Sequence, residues 1–289
     1  MAEIELLVFE GKKYQKVQEL AEAMGLNWNA GKRILFRGEL SEHVRASNPK
    51  VYKCCNDALQ KVSRGNANED LIFLEFLYTI APEMEAIYWR GSKFASPSAL
   101  GRAMLDALWQ ENESQYKLYD NILSERVLST YVLVRDSEND RLIQTVKSLE
   151  ALWKTTKESK GDLKRVYYLM AYLLSNQKIM KVGDEEIRTL DEFTDYLQRK
   201  LQISIKTFVE TTHLFIDTDG NLNVQFEAWL TALEKKETIN QWRDVLQSPP
   251  NELNKIGSFT DCMHRRVCSR VLSLLRGLKI QFCFCLSSC

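Results

Sequence analysis

One phrase occurs twice in this chain and faintly a third time, and that repetition limits the possible folds more than any single residue does. "VFEGKKYQKVQELAEAM" from Val8 returns as "YWRGSKFASPSALGRAM" from Tyr88. At an offset of 80 residues Gly11 meets Gly91, Lys13 meets Lys93, Tyr14 meets Phe94, Leu20 meets Leu100, Ala23 meets Ala103 and Met24 meets Met104. A third copy, "MKVGDEEIRTLDEFTDYL" from Met180, lies 92 residues further on and pairs Gly91 with Gly183 and Ile87 with Ile179. One extra residue after Gly183 then puts Ile187 at the aromatic position and Phe193 and Leu197 at the helix anchors. "DLIFLEFLY" from Asp70 matches "DLKRVYYLM" from Asp162 at the same offset of 92, and the pairs Leu40/Val44, Leu128/Val132 and Leu222/Phe226 share an i, i+4 spacing. Independent anchors with a common offset define an internal repeat.

Each copy reads as a β-hairpin followed by helices. "VFEGKKY" and "YWRGSKF" are short β-type runs around a residue-plus-Gly turn that needs positive φ. The next helix is announced by Ser96-Pro97, an N-cap with proline at the first helical position, and by Thr189 with Glu192, a capping box. Copy one has Lys16 in that slot, which predicts a ragged helix start. A second helix runs through Ile34 and Leu35, with Ile122 and Leu123 as counterparts, and a short third helix carries the i, i+4 pair. Two longer helices close the unit, over Pro49–Val62 and Asn68–Ile80 in copy one and Leu142–Thr155 and Asp162–Leu174 in copy two. The expected fold is mainly α, tandem helical repeats each carrying a short β-hairpin. The units are 1–82, 83–178 and a partial third over 179–247, and 248–289 is a linker with a Cys-rich, basic tail, read as poorly ordered. Such units bury their apolar faces against one another.

Charge and cysteine usage set the tail apart. The chain has 39 basic and 39 acidic residues, but Arg265, Arg266, Arg270, Arg276 and Lys279 lie past the last acid, Asp261, leaving the body at a net −5. That mildly acidic body argues against nucleic-acid binding. Cys54 and Cys55 stand alone in the body, while Cys262, Cys268, Cys283, Cys285 and Cys289 crowd the end. The odd total of seven, with no secretory leader and no apolar run of roughly 20 residues, points to a cytoplasmic chain. The tail could bind zinc through Cys262, His264, Cys268, Cys283, Cys285 and Cys289, though C-x-H and C-x-C are not the C-x2-C knuckle. It could also lie on an anionic membrane as a basic amphipathic segment. The abrupt change of composition near "NKIGSFTD" reads most simply as an atypical chain end, such as an altered reading frame.

No set of residues converges on catalysis. "DTDGNLNVQFE" from Asp217 fails as a calcium loop, because placing Gly220 at position 6 puts Phe215 and Phe226 at positions 1 and 12, where oxygen ligands are needed. It reads instead as a turn between helices. The three histidines, His43, His213 and His264, are scattered, and no G-x-S-x-G, phosphate loop, dinucleotide fingerprint or H-E-x-x-H is present. Of Cys54 and Cys55, helical spacing sends one into the core. No cofactor is expected and no enzyme is inferred.

The aromatics carry the remaining signal. Strand alternation could turn Trp89 outward, and Trp28 and Trp109 join it as candidate interaction aromatics, exposed indoles being common interface anchors. The pattern carried by Gly11, Tyr14, Leu20, Ala21, Met24, Trp28, Gly38, Leu40, Pro82, Gly91 and Phe94 resembles helical repeat regions of multidomain bacterial signalling or chaperone-like proteins. The resemblance covers most of residues 1–230 and implies interaction with a protein partner rather than catalysis. The expectation is therefore a non-enzymatic scaffold or interaction module. The alternative is a regulator acting through a zinc-binding or membrane-associating tail.

Overall fold

The computed structural model describes residues 3–65 and 68–247. Copy one comprises the hairpin β1 (Glu3–Phe9) and β2 (Lys12–Lys16), then α1 (Val17–Leu26), α2 (Trp28–Phe36), α3 (Glu39–Val44), α4 (Pro49–Ser63) and α5 (Glu69–Ile80). Copy two repeats that order as β3 (Ile87–Trp89), β4 (Ser92–Phe94), α6 (Pro97–Trp109), α7 (Glu113–Ser124), α8 (Val127–Arg135), α9 (Asp140–Glu158) and α10 (Leu163–Leu174). The third copy has β5 (Met180–Val182), β6 (Glu185–Ile187), α11 (Leu190–Ile203), α12 (Ile205–Thr212) and α13 (Val224–Ala232), then a 3-10 turn at Lys236–Thr238 and α14 (Ile239–Gln247). The fold is mainly α, with three two-stranded antiparallel sheets. Chain contacts divide it into two units, residues 1–177 and the chain from 178 onward, so copies one and two share a unit.

The hairpins follow from their turns. Glu10 and Gly11 have φ of 50° and 76°, and Arg90 and Gly91 have 48° and 86°, the pair of left-handed residues that a type I′ turn requires. The third hairpin is built differently from the expectation. Val182 pairs directly with Glu185 and Met180 with Ile187, as Trp89 pairs with Ser92 and Ile87 with Phe94. Gly183 therefore stands first in its turn, with φ of 60°, as in type II′. No residue is inserted. The counterpart of Ile87 is Met180 rather than Ile179, and the hairpin offset is 93 rather than 92.

Capping repeats along with the helices. Asn48 and Asn139 accept from the backbone N–H of Val51 and Leu142, each at 3.1 Å, to open α4 and α9, and Asn68 and Asp162 open α5 and α10. Ser96 accepts from Ala99 N at 3.1 Å, with Pro97 as the first helical residue. Lys16 provides no side-chain cap for α1. Thr189 accepts from Glu192 N at 3.2 Å, but the Glu192 carboxylate takes the N–H of Arg188 at 2.6 Å, so the reciprocal half of the box falls one residue early.

The core is lined by the repeated positions. Leu20, Met24, Leu35 and Leu40 are buried in copy one, Leu100, Met104, Leu123 and Leu128 in copy two, and Phe193, Leu197 and Phe226 in the third. Leu222 departs from the pattern. It forms an isolated bridge with Ile216 instead of starting a helix, and α13 begins two residues later. A left-handed residue stands two before each of these leucines: Gly38 at φ 81°, Arg126 at 61° and Gly220 at 83°.

In the first two copies one side chain from the fourth helix meets the first turn of the third. Asn56 Oδ1 accepts from Ser41 Oγ at 3.2 Å. Glu150 Oε1 accepts from the N–H groups of Leu128 and Ser129 at 3.1 and 3.2 Å. Gln247 lies over Gly220, so closely that a Cβ there would strike its amide. Trp242 on α14 packs on Phe193 of α11 at 5.1 Å.

Candidate functional site

Trp28 and Trp89 are in the core, which corrects their candidacy as outward anchors. Trp28 is 4% exposed and Trp89 is 0% exposed. The alternation argument fails because both faces of β3 are covered. On one face Trp89 Nε1 donates to Asn121 Oδ1 at 2.7 Å, and its ring meets Trp28 edge-on at 5.6 Å. On the other, the Tyr88 ring lies on Gly25, where a Cβ would sit 2.7 Å from the ring. Trp109, under the Arg102 guanidinium at 5.1 Å, is half-buried and alone among the three keeps accessible surface.

The joint between the first two copies is held by a saturated carboxylate. Asp70 Oδ1 accepts from Trp28 Nε1 at 2.8 Å and Lys32 Nζ at 2.7 Å, and Oδ2 accepts from Arg90 Nε at 2.8 Å. Burial alone would raise the Asp70 carboxyl. The hydrogen bonds from Lys32, Trp28 and Arg90 outweigh it and hold the group below its ordinary range. Such a group fixes geometry and has no basicity left for catalysis. Copy two builds a similar clasp from other helices: Asp120 accepts from Trp153 Nε1 at 3.0 Å and from Lys157 Nζ at 2.7 Å.

The other candidate chemical groups are equally occupied. Burial raises both thiols, Cys55 to about 12, and an un-ionised thiol is a poor nucleophile. As helical spacing predicts, Cys55 is the one facing inward. Asp217 accepts from the N–H groups of Asp219 and Asn221 at 2.9 and 2.8 Å, which makes "DTDGN" the expected turn. His43 lies on α3, and His213 caps α12 at its C-terminal end. Among the described residues no cluster of three His, Cys, Asp or Glu side chains could hold a metal. The tail residues considered as zinc ligands or as a membrane-binding segment lie outside the described residues.

Two clefts remain. A groove of about 80 Å³ runs between α4 and α5, with Ala58, Ile72 and Phe76 at its floor and Cys54, Asp57 and Lys61 among its polar walls. A larger cleft of about 160 Å³ opens between β5 and the start of α13, lined by Met180, Val182, Phe215 and Phe226 with Asn223 and Gln225 as polar members. Leu214, another lining residue, is 53% exposed. Sequence reasoning missed this cleft. Its one legible signal was the apolar run of Leu214, Phe215 and Ile216 directly before the Asp217 turn, which no helix in the repeat pattern explained.

The fold is a mainly α repeat with small hairpins, and both clefts are shallow with linings of mixed polarity. No family model matches this chain, and no curated protein or solved structure matches it either. Among the described residues no helix is long and apolar enough to cross a membrane.

Proposed function

We propose that the chain is a non-enzymatic, cytoplasmic interaction module that binds a protein partner through the cleft between β5 and α13. The observation that carries this reading is the cleft itself, an apolar floor of Met180, Val182, Phe215 and Phe226 with a half-exposed leucine beside it. At about 160 Å³ it is well below the roughly 300–1,000 Å³ of ordinary small-molecule pockets. It is close to the ~150 Å³ that accommodates a single benzene-sized group. That size suits one apolar side chain of a partner. Repeat arrays lend themselves to this use because stacked units present preformed surfaces.

The test is affinity capture with the full chain from lysate of the native host, compared with Leu214→Asp. A stoichiometric partner held by the parent protein and lost with Leu214→Asp supports the seat. A partner retained unchanged by the variant sinks it. Substrate turnover by the purified chain sinks the non-enzymatic reading, and zinc uptake or vesicle binding that requires residues 248–289 moves the function to the tail.

A further inference from the structure

The copies place different chemistry around the third helix. In copy one the neutral amide of Asn56 accepts from Ser41 Oγ, and in copy three the Gln247 amide lies over Gly220, four residues before α13. Copy two uses Glu150, which is 3% exposed. Its Oε1 accepts from two N–H groups of the first turn of α8, while its Oε2 is buried without a hydrogen-bond partner. A carboxyl held in this way adds a dependence on protonation that a neutral amide would not have.

The charged groups around Glu150 are few. Arg126, left-handed at φ 61° just before α8, acts on the carboxyl directly, as does Ser129. From α7, Asp120 and Tyr116 engage Trp153, and Asp120 also holds Lys157, both on later turns of α9. From α10, Tyr167 packs on Trp153 at 6.0 Å. Burial is the larger influence, and it prevails over Ser129, the α8 N–H groups and Arg126 to push the carboxyl up to about 7.

What Glu150 holds also matters to copy one. The Tyr131 ring on α8 meets Tyr78 of α5 edge-on at 4.9 Å, and its hydroxyl donates to Glu85 O at 2.9 Å. Arg135 at the end of α8 donates to Met84 O. The helix whose first turn rests on Glu150 is thus the helix that clamps the segment joining the two copies.

We propose that Glu150 is a proton-operated latch on the joint between copies one and two: protonated, it seats in the first turn of α8; ionised, it weakens that turn and loosens α8 from copy one. The direction follows from linkage. The closed state holds the proton more tightly than the open state, so the closed state loses about a decade of advantage per pH unit as pH rises from the ordinary carboxyl range to neutrality. Above neutrality both states are ionised and the effect levels off.

The experiment is amide hydrogen exchange on the full chain, resolved at Leu128, Ser129 and Thr130 and corrected for intrinsic rates, at pH 5 to 8. The same series is run on Glu150→Gln, which keeps the shape of the side chain and removes its ionisation. The expected result is protection in the parent protein falling at least ten-fold between pH 5 and 7.5, then levelling, while Glu150→Gln stays flat. Matching slopes in both proteins, or parent protection that is flat or rises with pH, overturn the proposal. If Glu150→Gln does not fold, carboxyl carbon NMR of the parent decides. Titration of Glu150 near neutrality in step with protection supports the latch, and an ordinary carboxylate midpoint refutes it.

Discussion

Gly101 sits where α6 crosses α10, and its replacement by alanine sets two known effects against each other. In an exposed helix interior, glycine to alanine gains about 1 kcal/mol through backbone entropy. Here the new Cβ would lie 2.6 Å from both Ala171 O and Ser175 Oγ and 2.9 Å from Ser175 N. Two of those atoms are helix backbone and cannot swing aside, so α6 and α10 must part by roughly 0.8 Å to reach ordinary contact near 3.4 Å. Parting them strains the Tyr167 hydroxyl on Met104 O at 3.1 Å and Asn176 N on Ser98 Oγ at 2.9 Å. Overpacking of this kind costs about 1–3 kcal/mol, and each weakened hydrogen bond adds roughly 0.5–1.5 kcal/mol. Gly101→Ala should therefore lower stability by about 2 kcal/mol net of the propensity gain. The assay is urea denaturation read by hydrogen exchange in peptides covering α6 and α10, so that residues 1–177 are followed apart from the rest. Copy one supplies the control: Ala21, the counterpart of Gly101, is already alanine and fully buried. A stabilisation near 1 kcal/mol for Gly101→Ala would mean that the helices yield freely and that the close crossing is not a constraint.

Three further outcomes can be checked in the same way. Asp70→Asn should cost about 1–2 kcal/mol, reduced from a fully buried pair because Arg90 is nearly half exposed. Because the Asp70 carboxyl is depressed, its contribution is present above the ordinary carboxylate range and is lost as pH falls through the folded value. An acid denaturation series should therefore show the parent losing its advantage over Asp70→Asn at low pH, and a constant difference would disprove the assignment. Trp89→Phe leaves Asn121 Oδ1 with only the longer bond from Arg90 at 3.2 Å and should cost about 1–2 kcal/mol by thermal melt, whereas an unchanged melt would mean the indole N–H contributes nothing. Glu111→Gly, at the left-handed residue after α6 with φ of 52°, should raise stability by about 1 kcal/mol, and a loss would show that the backbone there is unstrained.

The repeat exposed most of the fold because each copy restated the same solutions to the same local problems. The shared offset and the apolar spacing predict the long helices α4, α5, α9 and α10 to within three residues at each end. The misses had physical causes. Aligning Gly183 with Gly91 by residue type implies an insertion that the hairpin lacks, because type I′ and type II′ turns place their glycine at different positions. The spacing of Leu222 and Phe226 suggests a helix because i, i+4 looks the same whether or not the intervening backbone is helical. Strand alternation allows Trp89 to face outward beside the commoner core reading, and because β3 is buried on both faces the core reading holds. The cleft beside β5 brings together residues from Met180 to Phe226 that share no local pattern, so only the folded chain gathers them.

Both copies cover β3: Trp89 meets Asn121 of its own copy and Trp28 of the one before, and Tyr88 lies on Gly25 of the one before. The stretch that recurs in the sequence is therefore not the stretch that closes a core. A chain severed at the natural seam near residue 82 would carry Tyr88 and Trp89 away from half of their packing and leave Asp70 without Arg90. Recombination between such genes would preserve folding more readily if it exchanged segments running from the middle of one copy to the middle of the next. Duplication and self-sufficiency are out of phase here, and the hairpin is the element that marks the phase.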